Sequence, residues 1–178
     1  MKKILETERL LLREMTDDDF EALKKVISDP INMKYYQKPY DDEGVLRWLK
    51  WCKESYQKYG FGLYAVILKE TGEMIGDCGV SMQIIDDELK PEIGYHLRRD
   101  YHHQGIGKEM TQAMRDYFFT HYQFDEVYSY MDKDNVPSIK TAEANRMTFQ
   151  HLYTTKQGEV CKVYKITKNE WKNIVHHS

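Results

Sequence analysis

Between Pro91 and Tyr122 an extended run, Glu92-Ile-Gly-Tyr-His-Leu-Arg98, leads into a short polar loop, Arg99 to Gln104, and then into a helical pattern that opens on Gly105 and Gly107. Ile106, Met110, Ala113, Met114, Tyr117 and Phe118 recur at helical spacing, so the predicted helix has one apolar face to bury. Its N-terminus stays open. First-turn N–H groups have no intrahelical partner and the macrodipole is positive there, which makes an anion site. Glycines at 105 and 107 remove the Cβ atoms that would hold a bulky anion away, and Arg98, Arg99 and Lys108 add positive charge. Strand, loop and helix in this order predict a cradle for a phosphate-bearing ligand at the strand's C-terminal end.

A chain of 178 residues, 41% of them hydrophobic, can bury one core, and one domain spanning residues 1–178 is expected. No stretch reaches membrane-spanning length, and the basic start, Met1-Lys-Lys-Ile-Leu-Glu6, runs into charged residues and not into an apolar segment. Neither a membrane partner nor a secretory signal is expected. Cys52, Cys78 and Cys161 are odd in number and widely separated, which fits a reducing cytoplasm better than a disulfide framework or a metal site. A formal net charge of −3 argues against a nucleic-acid partner. Acidic clusters at Asp17-Asp18-Asp19, Asp41-Asp42-Glu43 and Asp86-Asp87-Glu88 are read as helix starts and a solvated loop, with attraction of a cationic substrate as the alternative.

Along the chain, Glu8 to Glu14 reads as a strand, and Thr16 caps a helix that buries Phe20, Leu23 and Ile27 and ends before Pro30. Ile31 to Tyr40 reads as a loop. Asp41 to Tyr59 is a second amphipathic helix, with Val45, Trp48, Leu49, Cys52 and Tyr56 on its buried side and Gly60 as its stop. Gly62 to Lys69 and Met74 to Ile85 form a hairpin around Glu70-Thr-Gly-Glu73, and Glu88 to Arg98 is the next strand. After the helix come a strand at Glu126 to Met131, a short helix entered from Asp134-Asn-Val-Pro-Ser138, and a closing hairpin of Thr148 to Thr154 and Glu159 to Thr167. His176 and His177 are read as a frayed tail. The order predicts an α/β (α+β) fold, a mixed, mostly antiparallel sheet of about seven strands flanked by about four helices.

Three stretches, Glu6-Thr-Glu-Arg-Leu-Leu-Leu-Arg13, Gln104-Gly-Ile-Gly107 and Asn135-Val-Pro-Ser-Ile-Lys-Thr-Ala-Glu143, carry a resemblance covering nearly the whole chain. It resembles the GNAT superfamily of N-acetyltransferases, above all the branch that includes the ribosomal-protein N-terminal acetyltransferases. The resemblance implies acetyl transfer from acetyl-coenzyme A to a primary amine, either a protein N-terminus or a small molecule, by a monomer or homodimer. It implies a cofactor site at Leu97, Arg98, Arg99, His102, His103, Gln104, Gly105, Ile106, Gly107 and Lys108, with Asn135 and Ser138 nearer the thioester. The pyrophosphate would lie on amides of residues 103 to 108 and the pantetheine arm along the strand near Leu97.

Departures are local. His102 stands where the family prefers Arg or Gln, and His103 where many relatives have glycine. Arg146 replaces the glycine that commonly follows the last helix, so a different C-cap is expected. Ala142 takes the place of a tyrosine that many relatives use to protonate the thiolate.

An alkylammonium has no lone pair to attack a thioester, so a base must take its proton. The resemblance implies Glu92 as that base; strand alternation puts His96 on the same face as the second candidate, and Ser138, a water or another tyrosine is left as the acid. The same residues also have plain readings: Glu92 as a solvated carboxylate beside Pro91, His96 as a hydrogen-bonded core histidine, Asn135 and Ser138 as a turn and helix cap. Tyr35, Tyr36 and Tyr40 are expected to line the acceptor site. Two other readings stay open. One is a non-catalytic acyl-coenzyme A-binding regulatory module. The other is a nucleotide-binding protein, against which Met110 stands where a dinucleotide fingerprint needs its third glycine, and Asp125 precedes the next strand instead of ending it.

Overall fold

The computed structural model describes residues 2–176. Eight strands form one sheet: β1 (Lys3–Glu6), β2 (Leu10–Arg13), β3 (Leu63–Leu68), β4 (Met74–Ile85), β5 (Glu88–Leu97), β6 (Glu126–Asp132), β7 (Thr148–Thr154) and β8 (Val160–Thr167). Their order across the sheet is β1-β2-β3-β4-β5-β6-β8-β7. Every neighbouring pair is antiparallel except β5 and β6, which are parallel.

The helices are α1 (Phe20–Ile27), α2 (Asp42–Tyr59), α3 (Ile106–His121), α4 (Val136–Ala144) and α5 (Lys168–His176). The apolar sides of α1 and α2 bury Leu23, Ile27, Val45, Leu49 and Cys52 against Ala65 and Met74, a core on one flank of the sheet. On the other flank Ile106, Met110, Met114 and Phe118 of α3 close a larger core over Leu12, Ile75, Ile93 and Ile166. Each fully buried aliphatic or aromatic side chain contributes about 1.5–3 kcal/mol, so these two layers hold the sheet in place.

Two elements go beyond the predicted set. The four-residue strand β1 pairs with β2, where the sequence shows only Ile4 and Leu5 between charges. Helix α5 includes His176, contrary to the frayed-tail reading; His177 lies outside the described residues. Its apolar content is small, but it begins with a reciprocal cap. Glu170 N–H donates to Thr167 Oγ1 at 3.2 Å, and Thr167 N–H donates to Glu170 Oε1 at 3.0 Å. Trp171 then packs on Phe119 at 5.3 Å and donates to Asp116 at 2.8 Å.

Each of the three acidic clusters has a local structural role. Asp17–Asp19 form a single 3₁₀ turn before α1, with Asp19 bound bidentately by Arg13 at 2.8 and 2.9 Å. The Asp41 side chain accepts the Gly44 N–H at the start of α2. Asp86 and Asp87, both at positive φ (54° and 63°), make the two-residue turn between β4 and β5.

Candidate active site

Between β5 and β6 one residue pair is in register, Glu92 with Tyr128. The Ser129 hydroxyl still donates to the Ile93 carbonyl at 3.1 Å, whereas β4 stays paired with β5 out to Leu97. A wedge therefore opens beside Gly94 to Leu97. Two cavities fill it.

The first, about 660 Å³, lies over the glycine loop. Gly105, at φ 78°, turns the chain into α3, and Ile106, Gly107 and Lys108 precede the first helical bond, in which Glu109 N–H donates to the Gly105 carbonyl. No side chain caps this helix end. His103 takes φ 62°, the left-handed conformation that glycine adopts most readily. Arg146, at φ 64°, does the same after α4, and Met147 N–H donates to the Ala142 carbonyl; the expected change of C-cap does not occur. Lys34, Arg99, Lys108 and Lys140 give the cavity rim a positive cast. Outside it, Arg9 braces the loop, donating to the Gln104 carbonyl at 2.9 Å and to Glu109 at 2.7 Å.

The second cavity, about 310 Å³, lies on the other side of the wedge. Tyr35, Tyr36, Tyr40, Trp48 and Trp51 form one wall, and Tyr130 of β6 faces the same space. Glu92, 8% exposed, accepts the Tyr130 N–H at 3.2 Å. Burial pushes its carboxyl up to about 8, with the Tyr130 amide and the Ser129 hydroxyl pulling the other way. A Cβ on Gly94 would sit 3.1 Å from Glu92 Oε1, so glycine there gives the carboxyl room to lie along the strand. Tyr35, Tyr36, Tyr95, His96, Asn135, Ser138 and Thr141 line both cavities.

Of the residues expected at the cofactor site, Leu97, Arg99, His102, His103, Gly105, Ile106, Gly107, Lys108, Asn135 and Ser138 all line the larger cavity. Arg98 and Gln104 line neither. Arg98 is clamped by Asp100 at 2.7 and 3.0 Å, and the Gln104 amide donates back to the Asp100 carbonyl at 3.2 Å. Asn135 caps α4 by accepting the Ser138 N–H at 3.3 Å, so the plain reading of that pair holds beside its place in the cavities. Glu92, His96 and Ser138 meet the smaller cavity, and Tyr35, Tyr36 and Tyr40 share its wall. Glu92 is not solvated.

Trp48, expected in the core, is half-buried and donates to Asp77 Oδ2 at 2.9 Å. Cys161 is buried and also borders the smaller cavity. Asp77 escapes the sequence reading altogether. A carboxylate inside Met74-Ile-Gly-Asp-Cys-Gly-Val80 is nonetheless a signal, because charged residues are almost never fully buried unless paired. Among the described residues, two buried side-chain polar atoms have no partner: His96 Nε2 and Asn145 Oδ1, both on residues that line the smaller cavity. No group of three or more His, Cys, Asp or Glu side chains able to hold a metal ion occurs among the described residues.

Residues 9–148 match the model of the acetyltransferase (GNAT) domain. Among curated proteins, the chain is 34% identical over 143 residues to the uncharacterized protein YkkB of Bacillus subtilis, covering 80% of this chain and 83% of that one. It is 33% identical over 168 residues to the uncharacterized N-acetyltransferase p20 of Bacillus licheniformis, covering 90% and 92%. Among solved structures, the RimL ribosomal L7/L12 alpha-N-protein acetyltransferase in complex with coenzyme A superposes with a TM-score of 0.76 at 17% identity, over 95% of this chain and 99% of that one.

Proposed function

The chain belongs to the GNAT acetyltransferase family, and on that footing we propose that it moves the acetyl group of acetyl-coenzyme A onto the primary amine of a small cationic acceptor, both substrates being bound together. One observation carries this reading: two cavities of different chemistry meet at Tyr95, His96 and Ser138, in the wedge where β5 and β6 part.

The larger cavity suits the donor. Open amides at 106–108, the left-handed turns at His103 and Gly105 and the surrounding cations match a pyrophosphate, and Leu97 borders the path of the pantetheine arm. The donor supplies an activated acyl carbon. The smaller cavity suits an ammonium group, with aromatic faces from Trp48, Trp51, Tyr36 and Tyr130, carboxylates from Asp132 and Glu159, and the Glu92 carboxyl.

Bringing an amine and an acyl carbon together in one orientation supplies much of the rate, on the order of 7–11 kcal/mol in well-aligned systems. The rest is proton transfer. Glu92 and His96, both on β5, can accept the ammonium proton on this side of the wedge. Ser138, which lines both cavities, can donate to the departing thiolate in place of the tyrosine that Ala142 has lost.

The test is thiol release from acetyl-coenzyme A with polyamines, amino acids, aminoglycosides and peptides with free N-termini, followed by mass spectrometry of the product. Saturable, amine-dependent release with small cationic acceptors is expected. Release only with peptides would move the acceptor to protein N-termini. Tight acetyl-coenzyme A binding without amine-dependent release would leave an acyl-coenzyme A-binding module, and preference for NAD or ATP would remove the donor altogether.

A further inference from the structure

Asp77 is the fourth residue of β4, with no exposed surface, directly across the ladder from His96 of β5. Its carboxylate receives three N–H groups. Trp48 Nε1 donates to Oδ2 at 2.9 Å, and the His96 backbone N–H, at 2.8 Å, converges on Oδ1 with His96 Nδ1, at 3.0 Å. A carboxylate can only accept, so a neutral His96 carries its proton on Nδ1 and keeps a lone pair on Nε2. That nitrogen is buried and unpartnered among the described residues.

The ring is also held in place. Tyr36 lies 5.3 Å from it and Trp48 meets it edge-on at 5.5 Å. His96 lines both cavities, whereas Glu92 lines only the acceptor side. Their Cα atoms lie about 13 Å apart along the strand at roughly 3.3 Å per residue. Of the two candidate bases, His96 is the one at the junction.

We propose that Asp77 is a positioning residue that locks His96 in the Nδ1–H tautomer, and that His96 Nε2 takes the proton of the amine where the two cavities meet. This rests on the acetyl-transfer reading above. The ammonium nitrogen gives one proton to Nε2 and becomes a neutral amine. Its lone pair forms the C–N bond to the acetyl carbon while the C–S bond breaks. A second proton leaves that nitrogen as the amide forms, the thiolate takes up one proton, and the proton on His96 passes to solvent. The imidazolium keeps its bond to Asp77, now charge-assisted and stronger.

The experiment is ¹⁵N NMR of histidine-labelled, ligand-free protein together with steady-state kinetics of Asp77→Asn. The Nδ1–H tautomer is expected in the wild type. In Asp77→Asn one NH₂ replaces an acceptor oxygen, so either the Trp48 N–H or the two His96 N–H groups lose their acceptor and the hold on the ring is weakened. The kcat should then fall about 100-fold or more, the usual contribution of a positioned base, with the KM for acetyl-coenzyme A unchanged. Should Asp77→Asn not fold, His96→Gln is expected to show the same loss of kcat at unchanged KM. An Nε2–H tautomer in the wild type, or full kcat in either variant, overturns the proposal. Wild-type protein that releases no thiol with any amine sinks the acetyl-transfer reading, and this proposal with it. An active wild type with an indifferent Asp77→Asn sinks this proposal alone.

Discussion

Burying Glu92 costs stability in a way that depends on pH. Its carboxyl ordinarily titrates at 4.5 and is held at about 8 in the folded chain, chiefly by burial. Between those two values the folded protein binds a proton that the unfolded chain has released, so stability declines as pH rises, by roughly 1.4 kcal/mol per unit for one fully shifted group. The contribution is fully present below 4.5 and gone above 8. Glu92→Gln keeps an acceptor for the Tyr130 N–H and removes the titration. Thermal melts of the two proteins should therefore coincide near pH 4.5, with the variant increasingly the more stable toward pH 8. Equal slopes for the two proteins would show that Glu92 does not carry this linkage. Glu92 and His96 are both legible as candidates from their alternation on one strand. Asp77 is not, because its role exists only through the pairing of β4 with β5.

At the scale of elements, turns matter more than periodicity. Gly60, Gly105 and the paired aspartates at 86 and 87 sit at positive φ, where the chain must turn sharply. His103 and Arg146 sit there without being glycine, so the backbone path is set by the strands and helices around them and not by the residue itself. Left-handed backbone costs a residue with a Cβ about 1–2 kcal/mol, and a glycine gives part of that back through its freer unfolded chain. Arg146 is exposed and has no hydrogen bond through its side chain among the described residues. Arg146→Gly is accordingly expected to stabilise the protein by roughly 0.5–1 kcal/mol, read as a higher denaturant midpoint with an unchanged slope. A lower midpoint would mean that the arginine side chain contributes something the backbone geometry hides. Helix α5 shows the opposite case: its Thr167-to-Glu170 capping pair is present in the sequence, but too few apolar residues follow it to mark a helix.

Taken whole, the molecule is one sheet with a seam, β1 to β5 on one side and β6 to β8 on the other, joined at Glu92 and Tyr128 and bridged by α3. A ligand in that seam should tighten it. Acetyl-coenzyme A at about 100 times its Kd adds about 2.7 kcal/mol of stability by mass action, and hydrogen exchange should slow at Gly94 to Leu97 and at Ile106 to Lys108 while β7 is unaffected. Protection confined to another surface would place the donor elsewhere. By itself the sequence determined the elements other than β1 and α5, and the glycine turn that opens α3, because hydrophobic spacing and turn residues act within a few positions of one another. It also identified the family, through three short stretches. Only the tertiary structure decided that β5 and β6 separate after a single paired residue, that Arg98 and Gln104 face away from both cavities, and that Asp77 grips His96. Those facts depend on which strands become neighbours, a long-range choice made by the packing of the whole core, and no local run of residues encodes it.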